Sequence, residues 1–446
     1  MESESKPTMW NVDAVDFVPS GTIDFAAKAP EKAEDKKKPF NKNQKHKKKN
    51  FKKEEKKTQH AKDCVSISIV GADGSGKTTI SNVLSGNPPC TQLANCRILC
   101  KDSKFRRYVF FDTAGSLYEQ VLPISITDYS ILSVSVVGIR EQYLKEVAVL
   151  LKNYVLGRLI IAITHVEQIN WDHDAYNAAV IEIRKVLDKY GVIDTLCVPV
   201  GASVNISQRV TKDIAPWYNG KTLSQVLDTL ETPHKKLEKG VKMPILPLSA
   251  DQAQGYLGKV LSGTLTINSK ISLLPSKDRV EILKITDING GDIEKATTSD
   301  IIKLTFKNHI NGPSSGLLVC EMQELSVVSR VFRAEVNVFN LDQNVINPGF
   351  SCQIYFHSAV EDCTITDIIS VTDWETKAKN KMETIRSDQR AMVVIHINNS
   401  ICAENASKGW DILSKFSLVL NNRVVGVGKV VELHNRVEEV ASEMGF

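Results

Sequence analysis

The residues best suited to chemistry begin at Gly71-Ala72-Asp73-Gly74-Ser75-Gly76-Lys77-Thr78, where glycines, a lysine and a hydroxyl follow one another at fixed intervals. The glycines let backbone N–H groups turn inward around phosphate, Lys77 can reach β and γ oxygens with Thr79 also on the nucleotide, and the Thr78 hydroxyl can bind Mg2+. A nucleoside polyphosphate is the expected ligand; an inherited loop that has lost its ligand is the plainer alternative. Further on stands Asp112-Thr113-Ala114-Gly115. An Asp here can hold Mg2+ through water, and the Gly115 N–H can sense a γ-phosphate, so the loop has the form of a nucleotide-dependent switch. Thr91, in the only room for a first switch loop, could add a hydroxyl to the metal or be a turn residue. Thr164-His165-Val166-Glu167 closes a further apolar run. The Glu167 carboxylate could accept from guanine N1–H and N2–H2, a donor pattern adenine lacks, or be an exposed acid at a strand end. Gly201-Ala202-Ser203 ends the last run on the same edge.

The elements that position these residues follow from periodicity. Short apolar runs at Val65–Val70, Tyr108–Phe111, Tyr129–Val137, Leu159–Ile163 and Thr195–Val200 alternate with amphipathic stretches. That alternation predicts an α/β domain over residues 63–232 with a parallel sheet, whose strand ends form the ligand edge. A helix is expected over TTISNVLSG, and another over YNAAVIEIRKVLDKYG, where Val180, Ile183, Val186, Leu187 and Tyr190 share a face and Gly191 supplies the C-cap. After about Thr232 the texture changes to β-type runs divided by turn signals: SGTLTINSKISLLP, RVEILKITDINGGDIEK, DIIKLTFKNHINGP, RAEVNVFNL, CQIYFHSAV, CTITDIISVTD and RVVGVGKVVEL. Two small all-β barrels are predicted, over 233–325 and 326–436, with no long helix.

Charge separates the tail from this body. The 446 residues carry a net +4, yet residues 31–62 alone hold 14 lysines against five acidic residues, so the body from 63 onward is slightly negative. Residues 1–62 lack periodic apolar positions and are expected to be a disordered basic extension, either a solvated linker or a non-specific contact for RNA or the ribosome. Nine cysteines without a CxxC pair, and no apolar run of transmembrane length, point away from zinc and membrane and toward a reduced cytoplasmic setting.

Order and spacing resemble the translational GTPases of the elongation factor 1-alpha type. The resemblance covers roughly residues 64–432. It rests on Gly71–Thr78, Asp112–Gly115, HVEQINWD, the word Ala215-Pro216-Trp217-Tyr218-Asn219-Gly220-Lys221-Thr222-Leu223, and GKVLSGTLTINSKISLLP with its G-x-V-x-x-G-x-L signature. Residues 346–373 and the VGVGKVVEL end are most similar to the eukaryotic class II release factor, and the ribosome-rescue GTPase that partners Pelota stands close behind. The resemblance implies GTP and GDP with Mg2+, work at the ribosome in translation termination, and a tRNA-shaped release factor or Pelota-like partner on the C-terminal barrels. Trp10–Ser20 is similar to a short motif that recruits poly(A)-binding protein, with Phe17 as anchor.

The same comparison marks departures. Thr164-His165-Val166-Glu167 stands where the family reads guanine with Asn-Lys-x-Asp, Ser116 where it positions water with His, and Gly74 where it has Asp. Only 34 residues separate Lys77 from Asp112, so the helical insert of the first switch is missing. Val419 and Leu420 replace a charged pair in a word that relatives use at their partner-binding surface. Weakened guanine preference is expected, of the order of 1–3 kcal/mol, and GTP hydrolysis that is slow or lost. The chain reads either as a divergent GTPase or as a pseudo-GTPase adaptor.

Overall fold

The computed structural model describes residues 62–434 apart from 88–89, 94–95, 105, 114, 156–158, 194, 203, 233–239, 247–254, 308–315, 322–326, 342–344, 374–378, 381–382 and 409–410. The basic extension with its Phe17 motif, Ala114, Ser203 and the expected junction at 325 lie outside the described residues.

The first layer is a seven-stranded sheet in the order β2-β3-β4-β1-β5-β6-β7. Its strands are β1 (Asp63–Gly71), β2 (Thr91–Gln92), β3 (Cys96–Asp102), β4 (Arg106–Thr113), β5 (Tyr129–Ser135), β6 (Leu159–Thr164) and β7 (Leu196–Pro199). Helices α1 (Lys77–Ser85), α2 (Leu117–Ile126), α3 (Glu141–Tyr154), α4 (His173–Lys189) and α5 (Leu223–Asp228) complete the domain. β1 is buried almost throughout, so it packs on both faces: Val65, Ile67 and Ile69 join Ile80 and Leu84 of α1, while Val70 joins the cluster under α2, α3 and α4. That two-sided burial is why it reads as a continuous apolar run.

The sheet is mixed, not parallel. β1, β4, β5, β6 and β7 run parallel, but β3 is antiparallel to β4, and β2 to β3. The reason is local: the turn at Ser103–Arg106, where Ser103 Oγ both donates to Arg106 O and accepts from Arg106 N, allows only an antiparallel return. The cysteine-rich CRILCKD, too weakly apolar to stand out, thereby becomes a strand. α4 follows its pattern, with Tyr176, Ala179, Ile183, Val186 and Leu187 buried, an Asp172 side chain capping Ala175 N–H at 2.7 Å, and Gly191 at φ +74° just beyond its end.

Two antiparallel barrels follow. In the first, Lys242–Pro244, Leu318–Glu321, Lys270–Leu274, Asp278–Asp287, Ile301–Phe306 and Tyr256–Lys259 neighbour one another in turn, and bridges Ile245–Gly258 and Lys242–Ser262 bring the ends together. The G-x-V-x-x-G-x-L word has a physical basis here. Val260 and Leu265 fill the core, and Gly263, at φ +74°, lies so close to the Val241 backbone that a Cβ would stand 2.8 Å from its nitrogen. The second barrel closes through Phe350–Phe356, Lys415–Leu420, Arg423–His434, Val327–Val338, Gln389–Ala403 and Ala359–Asp373, which returns to the first. Gln389–Ala403 is absent from the expected runs, although it pairs with a neighbour on each side; its apolar stretch is broken by His396 and followed by Asn398-Asn399, which mimic a turn.

Both barrels dock on the first domain. Lys259 is buried at the foot of β1, where its ammonium donates to Asp128 Oδ1 (2.7 Å), Ser66 Oγ (2.8 Å) and Ile126 O (2.8 Å). Arg107 of β4 reaches Asp287 at 2.8 Å. Val419, Val424 and Val427 of the second barrel share the core beneath α2 and α3. Val419 thus has a packing role where a charged residue had been the reference.

Candidate functional site

Four loops converge at the C-terminal ends of the parallel strands. The glycine-rich loop leaves β1 and ends in α1. Gly74 and Gly76 take φ +78° and +87°, a left-handed backbone that bears no side chain comfortably, so the sequence of glycines is what permits the turn. Lys77 folds back over it, donating to Gly71 O (2.9 Å) and Ala72 O (3.0 Å). Burial first, and the Arg140 charge in addition, lower its pKa below the ordinary lysine value, against the opposing pull of Asp73 and Asp112. Thr78 and Thr79 are exposed at the start of α1.

The base loop is tied to the phosphate loop directly. Thr164 Oγ1 donates to Ser75 O at 2.8 Å, which ties the two loops together. Ser133 Oγ donates to the same oxygen from β5. His165 adopts φ +59°, its Nδ1 is 3.1 Å from Ser135 Oγ, and its ring lies beside Gly76. Glu167 sits in a 3-10 turn, Val166–Ile169, with its carboxylate drawn in beneath Gly201: a Cβ on that glycine would meet Glu167 Oε2 at 3.3 Å and the Trp171 ring at 3.0 Å. Trp171 is fixed in turn by Trp217, whose indole N–H donates to Trp171 O at 2.7 Å, which gives the Ala215–Leu223 word a positioning role. One cleft is lined by Gly76, Thr79, Thr164, His165, Gly201 and Ala202. Another, across the glycine loop, includes Asp73, Gly74, Ser75, Ser135, Arg140 and Tyr143.

The switch loop is the part most altered. Gly115 has φ +74° and so little room that a Cβ would overlap the Glu119 carboxylate. Ser116 is the residue before α2, and its backbone N–H donates to Glu119 Oε2 at 2.8 Å; a helix cap occupies the position of the water-orienting histidine. Asp112, nearly buried, accepts from Arg97 of β3 through Nη2 (2.5 Å) and Nε (3.2 Å), both on Oδ2. Thr91 is not brought to this group. It pairs with Ile98, the neighbour of Arg97, and strand alternation turns it to the face opposite Asp112. Thr91 therefore stands apart from Asp112, and among the described residues there is no group of three or more His, Cys, Asp or Glu side chains that could by itself hold a metal.

Two residues escaped the sequence reading. Gln120, fully buried, donates to Gly71 O (3.0 Å) and Gly115 O (3.3 Å) while its Oε1 accepts from Gly71 N (3.3 Å) and Tyr143 Oη (2.8 Å). It joins the phosphate loop, switch loop and α3; a glutamine amid the apolar residues of LYEQVLPISI was its only signal. Arg97 had none, because its role depends on cross-strand register. The buried oxygens Ser75 Oγ, Asp112 Oδ1 and Glu167 Oε2 have no partner in the protein, and all three belong to this edge. Clustered orphan acceptors and hydroxyls mark a place where a ligand completes the bonding.

Residues 331–431, the second barrel, match a family model described as GTP-eEF1A C-terminal domain-like. The chain is 24% identical over 355 residues to the eukaryotic peptide chain release factor GTP-binding subunit of Kluyveromyces lactis, with 74% of this chain and 50% of that protein aligned. It is 22% identical over 299 residues to the protein of the same description from Schizosaccharomyces pombe, covering 65% and 45%. The chain thus spans about half the length of these curated relatives. In structure it is similar to translation elongation factor SelB from Methanococcus maripaludis, at 14% identity and a TM-score of 0.63 over 85% of this chain and 82% of that one. Sequence relatives and fold point the same way: the chain is similar in sequence to eukaryotic release-factor GTP-binding subunits and shares its fold with translation elongation factor SelB.

Proposed function

We propose that the chain is a GTP-binding translation factor that acts in termination at the ribosome, with its phosphates cradled by Gly71–Thr78 and guanine read by Thr164, His165 and Glu167. The observation that carries this reading is the bond from Thr164 to Ser75 O, which unites a phosphate loop and a base loop on one sheet edge whose orphan oxygen, Glu167 Oε2, has the polarity a guanine N1–H or N2–H2 requires. The longer side chain has its room beneath Gly201, so the carboxylate is drawn back as one extra methylene demands. Gly201 and Ala202 would border the base, and Lys77 the β and γ phosphates. Thr78 would hold a Mg2+ ion accompanying GTP, together with phosphate oxygens and water, while Asp112 is paired with Arg97.

Hydrolysis is where the chain departs from a full enzyme. With Ser116 in a helix cap, nothing described orients a water, a contribution of about 100-fold or more in rate. A pseudo-GTPase adaptor is accordingly the second reading. The partners proposed are a tRNA-shaped release factor, or its Pelota-like paralogue in a rescue role, on the C-terminal barrels, and poly(A)-binding protein on the Phe17 segment. The lysine-rich segment would contact RNA. The setting proposed is the cytoplasm; among the described residues no helix is long and apolar enough to cross a membrane.

Calorimetry of the purified chain with GTP, GDP and ATP tests the first reading: GTP and GDP bind in preference to ATP, whereas no binding at millimolar nucleotide would sink it. Ribosomes with the cognate release factor then separate the two readings. Multiple-turnover hydrolysis would reject the adaptor, and affinity purification from the native cell identifies the partner.

A further inference from the structure

We propose that Arg140, the residue before α3, contacts the terminal phosphate of a bound nucleotide and so lets the site tell GTP from GDP. This rests on the nucleotide-binding reading and deepens it by naming the residue that senses the third phosphate.

The two clefts at the ligand edge give the direction in which a nucleotide lies. One is lined by Gly76, Thr79, Thr164 and His165, so the base loop borders the late end of the glycine-rich loop. The other is lined by Ala72, Asp73, Gly74, Ser75 and Arg140, at the early end. A nucleotide with its base in the first cleft runs its phosphates along the loop and past Lys77, so its last phosphate arrives at the second. That cleft has a volume of about 230 Å3, several times the share of one water, which leaves room for a phosphoryl group beside a guanidinium.

Local sequence brings Arg140 there. Only Val136, Val137, Gly138 and Ile139 separate β5 from Arg140. Ser135 Oγ donates to Val137 O (2.8 Å) and accepts from Val137 N (3.3 Å), and Gly138 takes φ +80°, so the chain turns sharply at the strand end. α3 is held near both ends: Tyr143 Oη donates to Gln120 Oε1 at 2.8 Å, and Tyr154 Oη lies 3.1 Å from Ser417 Oγ. The backbone at Arg140 is thereby fixed, while its exposed side chain makes no hydrogen bond or ion pair among the described residues.

The surrounding charge calls for an anion. Arg140 is near enough to Lys77 that, after burial, its positive charge helps to lower the lysine pKa, with Asp73 and Asp112 opposing. Asp73 is the one acid lining the cleft, and no ion pair joins it to Arg140. Ser75, 3% exposed on the same cleft, has an Oγ without a partner in the protein. An unpartnered guanidinium, a second cation and an orphan hydroxyl around one cleft are completed together by a group with several anionic oxygens. Other candidates for sensing that group are committed elsewhere: Ser116 caps α2, and Thr91 faces away from Asp112. A guanidinium is charged at any relevant pH and offers five N–H donors in a fork that matches phosphate.

The test uses the full chain stripped of nucleotide, with GTP and GDP titrated separately by calorimetry in millimolar Mg2+. Arg140→Ala is expected to weaken GTP about 20-fold, the loss of a charged contact to phosphate, while GDP changes by less than about threefold. Arg140→Lys keeps the charge without the fork, so its GTP affinity is expected between those of wild type and Arg140→Ala. Because the side chain is exposed, urea unfolding of both variants should match wild type, which separates a lost contact from a lost fold. Equal weakening of GTP and GDP in Arg140→Ala, or unchanged GTP affinity, overturns the inference and leaves the nucleotide reading intact. No binding of either nucleotide to the wild-type chain rejects that reading, and this inference with it.

Discussion

The two halves of the nucleotide edge are built on different principles. The proposed phosphate loop would work through backbone N–H groups and one lysine, so three glycines and Lys77 are enough to specify it. The proposed base loop would work through side chains at Thr164, His165 and Glu167, which stand where the resemblance puts Asn, Lys and Asp. What the difference teaches is where recognition can drift. A backbone cradle is indifferent to most substitutions around it, whereas a side-chain reader is rebuilt by every one. The tether survives the drift because Thr164 needs only a hydroxyl to reach Ser75 O.

Four substitutions test that contrast. Lys77→Ala has the largest expected effect, a loss of about 3 kcal/mol in GTP binding, on the order of 100-fold, because charge-assisted contacts to two phosphates disappear; calorimetry reads it directly. Gln120→Leu comes next, at about 2 kcal/mol in urea unfolding, since the Gly71 amide and carbonyl and the Tyr143 hydroxyl lose their buried partner together. Glu167→Ala should weaken GTP about tenfold and leave ATP unchanged, so that the ratio of the two affinities falls. If it costs as much as Lys77→Ala, the contrast between the halves is wrong; if it costs nothing, the base loop is a relic. Thr164→Val is smallest, about 1 kcal/mol in GTP affinity, because Ser133 still donates to Ser75 O. A larger loss would mean that the tether, not Glu167, sets the base loop.

The interface with the first barrel is a useful control for these measurements. Lys259→Met leaves Asp128 buried beside Ser66 without the Lys259 cation, so it should lower the unfolding free energy by about 3 kcal/mol while GTP affinity holds. A matching fall in affinity would show that docking of the barrel shapes the ligand edge.

By itself the sequence determined the elements whose period is strong and the loops whose function is local. β1, α1 and α4 are written in runs and faces that burial enforces, and the Gly71–Thr78 loop is shaped by residues adjacent in the chain. The two barrels were legible as a change of texture, although the central strand Gln389–Ala403 was hidden by its polar interruptions. Tertiary structure alone decided what depends on register and on neighbours remote in sequence. CRILCKD became an antiparallel strand, and that register set Arg97 against Asp112 and turned Thr91 away. It also gave Gln120 the loops at Gly71 and Gly115 and helix α3 to join, and Glu167 its room under Gly201. The physical reason is that a hydrogen bond or ion pair is fixed by distances of about 3 Å, which composition and period do not encode until the strands are paired.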